Sequence, residues 1–124
     1  MIPVLIINYN EYPLLAENIW HAQKAGHPSI LTYGSNKKAN RHAAMHVQVN
    51  LLRYEIPRVH SRDEYPFACC EEGGESAWVG HIPPKQNSAQ GGLLAAFLKR
   101  HGILPNMGEK SRFEVRVINY PKSF

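Results

Sequence analysis

Across Pro83-Pro84 the apolar pattern switches from alternation to a helical stripe, and no other feature restricts the fold as much. Before it, Trp78, Gly80 and Ile82 share one parity of Ser76 to Ile82, with Val79 and His81 on the other, which predicts a strand that the two prolines stop. After it, Leu93, Leu94, Phe97 and Leu98 form one apolar stripe from about Asn87 onward. Lys99, Arg100 and His101 fill the last turn, and Gly102 stands as the C-terminal cap. Upstream, the short apolar run Tyr65 to Cys70 reads as an earlier strand entered from a turn at Pro66, with Gly73-Gly74 as the reversal between the two strands. The order is strand, strand, helix.

Residues 61–92 carry the densest concentration of acids, amides and paired glycines, including Asp63, the only aspartate in a chain of 124 residues. Gly73-Gly74 and Gly91-Gly92 remove side chains where backbone turns sharply or lies close to a neighbour or ligand. Acids on two strands opposite an amide at a helix start offer a compact way to set a divalent cation beside a phosphate.

At this length one domain, residues 1–124, is expected, large enough to bury about two thirds of the surface of its unfolded chain. With 44% hydrophobic and 19% charged residues it is not a disordered chain, and its longest apolar runs are too short to span a membrane. Fourteen basic against ten acidic side chains leave a net charge of +4, which favours a polyanionic partner. The run Lys37-Lys38 with Arg41 fits a solvated helix face as well as a DNA-facing one. Cys69 and Cys70 are adjacent and are expected as two free thiols, since alternation points neighbours to opposite faces. The seven histidines are scattered, which argues against zinc.

Met1 to Asn8 is apolar but lacks a charged leader and a cleavage site, so it reads as a first strand and not as a signal peptide. Glu11 to Gly26 predicts a helix burying Leu14, Leu15, Ile19 and Ala22, ended by Gly26 and Pro28. Ser29 to Tyr33 is a strand candidate, and Ser35 a cap for a helix through about His46, on which Arg41 and His42 face water or DNA. His46 to Tyr54 either extends that helix or forms a strand from Val47, the strand being favoured. Phe113, Val115 and Val117 alternate with Glu114 and Arg116, a half-buried strand expected to close the sheet.

The ordered set Asp63-Glu64-Tyr65-Pro66-Phe67-Ala68, Glu72-Gly73-Gly74, Gln86-Asn87 and Gln90-Gly91-Gly92 resembles the NucA/NucB family of deoxyribonucleases. The phrases Glu17-Asn18-Ile19 to Ala25-Gly26-His27-Pro28, Ile30-Leu31-Thr32 and Ala39-Asn40-Arg41 look like its toxin-type members. The resemblance implies an α+β fold, a small mixed domain with a ββα-metal-type nuclease core and an N-terminal helical part. It further implies a metal-dependent, largely sequence-non-specific endonuclease acting on double-stranded DNA, a toxin or effector domain. Such a domain is secreted or delivered by a secretion system into a target cell's cytoplasm and neutralised there by a cognate immunity protein. Two positions depart from the family: Ser61 stands near the DEYP-like string where secreted relatives carry a cysteine, and Gln86 stands where many relatives have an acid.

Phosphodiester cleavage needs an activated water, charge neutralisation on phosphorus and a proton for the leaving oxygen. A hard cation such as Mg2+ or Mn2+ takes oxygen ligands, so Asn87, Glu72 and Asp63 are the expected metal ligands. Asp63, Glu64, Glu72 and Arg62 are the expected catalytic groups. Asp63 is preferred as base or metal-orienting residue, with Glu64 or His60 in its place otherwise. Arg62, Gln90 and Arg41 are the expected substrate contacts, Arg62 as a fork on the phosphate. The structural alternatives are that Asp63 caps a turn, Glu71 and Glu72 form a solvated hairpin tip, Asn87 caps its helix, and Gln90 hydrogen-bonds the hairpin. A nucleic-acid-binding module without chemistry, or a ribonuclease on the same scaffold, would share these residues.

Overall fold

The computed structural model describes residues 2–34, 36–46, 48–51 and 61–122, and shows a mixed α+β fold. Its elements are β1 (Val4–Asn8), α1 (Pro13–Lys24), β2 (Ile30–Thr32), α2 (Lys37–Ala44), β3 (Ser61–Tyr65), β4 (Trp78–Ile82), α3 (Pro84–Arg100), a 3-10 turn (Gly108–Ser111) and β5 (Arg112–Ile118). Among the described residues no helix is long and apolar enough to cross a membrane.

One sheet has the order β1-β5-β2, with β5 parallel to β1 and antiparallel to β2. The last strand therefore enters the middle of the sheet; it does not close an edge. Its alternation explains the position: Phe113 and Val115 are buried, and they join Leu5 and Ile7 of β1, Leu31 of β2 and Leu15, Ile19 and Ala22 of α1 in one core cluster. The opposite parity leaves Ile6 and Ile30 exposed.

The second sheet is the antiparallel pair β3-β4, in which Asp63 lies opposite Gly80 and Tyr65 opposite Trp78. The first strand thus lies upstream of the expected Tyr65 to Cys70, because Pro66 has no N–H to continue the ladder and the chain turns there. Gly73-Gly74 sits within the long connection, where a side chain on Gly73 would strike the Phe67 carbonyl and Gly74 takes a φ of +99°.

Helix α3 begins at Pro84, one turn before the position inferred from its apolar stripe, because proline suits the first helical position, where an N–H would be unpaired anyway. Its end is a Schellman turn: the Ile103 amide bonds the Leu98 carbonyl, the Gly102 amide bonds Lys99, and Gly102 has a φ of +61°. Helix α1 lacks a side-chain cap of its own. Instead Gln86 of α3 accepts hydrogen bonds from the amides of Leu14 and Leu15 at 3.1 and 2.9 Å, so one helix caps the other. For α2 the cap is Asn36, whose side chain accepts from Ala39. Ser35 lies outside the described residues, as do Val47 and 52–54 of the expected strand; Leu51 makes an isolated parallel bridge with Gly80.

Candidate active site

Asp63 is 1% exposed, and each carboxylate oxygen is held by an amide from a different helix. Asn18 of α1 donates to Oδ2 at 2.8 Å, and Gln90 of α3 donates to Oδ1 at 2.6 Å. The Asn18 carbonyl oxygen accepts in turn from the Trp78 indole of β4 at 2.8 Å. Opposite Asp63 in the ladder, any side chain on Gly80 would collide with the Asn18 amide. Four elements thus meet on one buried carboxylate, which burial pushes up to about 6 against the two amide donors that favour its charged form.

Residue type alone does not mark Asn18 as part of this centre. The available signal was its position: it follows Leu15 by three residues and precedes Ala22 by four, a polar residue on the buried stripe of α1.

A cleft of about 990 Å³ opens beside this carboxylate between α2, β3 and α3. Glu64, half-buried, lines it, and burial raises its carboxyl while Arg41 and Arg62 pull the other way. Arg62 also donates to the Ala44 carbonyl at 3.0 Å, tying the end of α2 to β3. Asn87 and Gln90, one turn apart on α3, line the same wall. Starting α3 at Pro84 removes Asn87 from the capping position, and among the described residues its side-chain amide makes no hydrogen bond. Gln90 keeps one buried oxygen, Oε1, without a partner.

Asp63, Glu64, Arg62, Arg41, Asn87 and Gln90 are therefore brought together. Glu72 is not: its two oxygens accept from the Thr32 amide at 2.8 Å and the Thr32 hydroxyl at 2.9 Å, so it fastens the loop after β3 to β2 and stands outside the cleft lining. His60 lies outside the described residues. His81 pairs with Arg62 in the hairpin register and does not line the cleft. Cys69, not anticipated here, does line it.

Among the described residues no three His, Cys, Asp or Glu side chains gather closely enough to cage a metal. The donors that are present suit a hard cation of another kind. Asn87, Gln90 with its orphaned buried Oε1, and Asp63 all line the cleft and carry oxygen donors. Mg2+ is commonly held by one or two carboxylates, with water and phosphate completing its shell.

Residues 19–113 match the family described as deoxyribonuclease NucA/NucB, a span that contains Asp63, Glu64, Arg62, Arg41, Asn87 and Gln90 and begins one residue after Asn18. Over 82 residues the chain is 32% identical to the DNA-entry nuclease of Bacillus subtilis (strain 168), covering 66% of this chain and 52% of that protein. It spans about half the length of that curated relative. With the acidic pair on β3, the amides on α3 and the arginines of the cleft all inside the matched span, the chain belongs to the NucA/NucB deoxyribonuclease family.

Proposed function

We propose that this chain is a metal-dependent endonuclease that hydrolyses the phosphodiester backbone of DNA with little preference among bases. The observation that carries the reading is the single cleft shared by Asp63, Glu64, Asn87 and Gln90 with Arg41 and Arg62. The succession β3, β4, α3, with Asn87 in the first turn of α3, supports a ββα-metal core.

Asn87 and Asp63, with Gln90 Oε1 beside them, would hold Mg2+ or Mn2+. When bound, such an ion neutralises charge on the phosphorus and its leaving oxygen. Glu64 takes the proton of the attacking water at its carboxylate; it is the more accessible of the two acids, and its raised pKa brings it closer to a working base at neutral pH. Asp63 is a positioning residue as well, fixing the Gln90 amide from behind. Arg41 and Arg62 bind the phosphate and keep Glu64 ionised.

Plasmid nicking with Mg2+ or Mn2+, with and without chelator, tests the reading, with RNA offered in parallel. Wild-type protein is expected to nick DNA only with a cation, and Glu64→Gln to lose the activity while melting at the same temperature. Plasmid and single-stranded DNA both left intact under every metal tried would refute the enzyme. The toxin-type phrases of α1 and β2 support a role as an antibacterial effector paired with an immunity protein. Growth arrest on expression in the bacterial cytoplasm, relieved by Glu64→Gln, is the expected result; equal growth of the two strains would remove that role.

A further inference from the structure

The cleft is larger than phosphate chemistry needs, and its far end is built of different material. Asn87, Gln90, Gly91, Leu94 and Leu98 recur at three- and four-residue spacing, so one face of α3 runs the length of the cleft. At about 1.5 Å rise per residue, Leu94 stands roughly 6 Å and Leu98 roughly 12 Å beyond Gln90, the reach of one to two nucleotides. There the wall turns apolar. Leu98 and Ile103, both members of the buried core, form its floor, and the half-buried Leu94, Leu104 just beyond the Schellman turn, and Tyr33 stand around it. Leu104 is 60% exposed and lines the cleft, so its apolar surface is open to an occupant.

A DNA backbone has little apolar surface to offer such a wall, and in a duplex the base faces are covered by stacking. An unstacked base has a flat apolar face to bury. Lys37 and Lys99, which also line the cleft, carry the charge that flanking phosphates require. Gly91 adds an independent observation. It sits inside a helix, where alanine is favoured, and a Cβ there would meet nothing within 4 Å. No packing constraint requires glycine, yet this position lines the cleft, whereas Gly92, equally open, does not.

We propose that the end of the cleft formed by Leu94, Leu98, Ile103, Leu104 and Tyr33 binds an unstacked nucleobase next to the scissile phosphate, so that the substrate class is single-stranded or locally opened DNA. The proposal rests on the nuclease reading for the identity of the polymer, and the geometry of the α3 face sets where the base goes.

The experiment compares a labelled single-stranded oligonucleotide, its duplex, and the same strand carrying one abasic position stepped along the sequence. Wild type, Leu104→Ser, Gly91→Leu and Gly92→Leu are used, each checked for an unchanged fold by its melting curve. Cleavage per unit enzyme is expected to be about tenfold or more faster on the single strand than on the duplex, the ratio a stacking contact of ordinary strength provides. Cleavage should drop where the abasic position falls beside the scissile bond. Gly91→Leu and Leu104→Ser should lose both effects, and Gly92→Leu should keep them. Affinity of the Glu64→Gln protein for the same oligonucleotides is measured alongside, so the base site is read even without turnover. Equal handling of single strand, duplex and abasic strand, or identical behaviour of Gly91→Leu and Gly92→Leu, overturns the base site. Absence of any cleavage with a retained single-strand affinity overturns the nuclease reading instead.

Discussion

The Asn18 side-chain amide donates to Oδ2 of Asp63 at 2.8 Å across 45 residues of sequence, and both groups are buried. The bond makes α1 part of the acidic centre. It also makes the centre a determinant of stability, because neither partner can fall back on water.

Replacing Asn18 with alanine strands two groups, one carboxylate oxygen of Asp63 and the Trp78 indole N–H. The buried Asp63 oxygen costs about 1–3 kcal/mol when unsatisfied and the half-buried indole less, so Asn18→Ala should lose roughly 1–4 kcal/mol in urea unfolding at neutral pH. A loss below about 0.5 kcal/mol, within the range of ordinary surface substitutions, would mean that the network contributes little.

The Asp63 carboxyl, raised from 3.8 to about 6 mainly by burial, makes stability depend on pH with a definite sign. The folded state holds this proton more tightly than the unfolded chain. The stabilisation is therefore complete below the unfolded value near 3.8 and is lost as pH rises through about 6, a change of about 3 kcal/mol for this group alone. Unfolding free energies measured in chelator from pH 4 to 7 should show that decline in wild type and a flatter curve in Asp63→Asn. Parallel curves for the two proteins would contradict the assignment.

How much of this was legible in the sequence depends on how local the cause was. A short apolar run placed β1, alternation placed β5 and the apolar stripe placed α1, because each reports its own burial. Where Pro66 and Pro84 act, the pattern alone misplaced a strand and a helix start by several residues. Asp63, Glu64, Arg62, Arg41, Asn87 and Gln90 were all expected at the site and do share a cleft, but Glu72 was assigned by its neighbours in the motif, and its partner Thr32 lies 40 residues away. The position of Asn18 on the buried stripe of α1 marks it as a buried polar group, but neither its partner nor the capping role of Gln86 is legible, because each acts on a different element and only tertiary packing defines what it does.

Gln86→Ala should uncap α1 at Leu14 and Leu15 and cost about 0.5–2 kcal/mol, with cleavage per folded molecule little changed. Gln86→Glu keeps the acceptor and adds a negative charge at the positive end of α1, so it should match or exceed wild-type stability. Paired melting curves decide the matter: equal losses in both variants would show that the contact is not a cap.

Cys69 and Cys70 stand 3.9 Å apart at sulfur, yet their chemistry should differ sharply. Cys69 is half-buried on the cleft, and its hydrogen bond with Cys70, aided by Lys37 and Arg41 and opposed by burial, holds its thiol below the ordinary value. Cys70 is fully buried and is pushed far up by the same contact and by desolvation. The thiolate is the reactive form, so iodoacetamide on native protein should label Cys69 alone, at a rate that levels off at lower pH than for a simple thiol. Because the adduct then stands in the cleft beside Arg41, DNA cleavage should fall in step with labelling, and Cys69→Ser should resist the reagent. Peptide mapping checks the site. Labelling of Cys70 at a comparable rate in folded protein, or full activity after stoichiometric labelling of Cys69, would show that this thiol does not face the working part of the cleft.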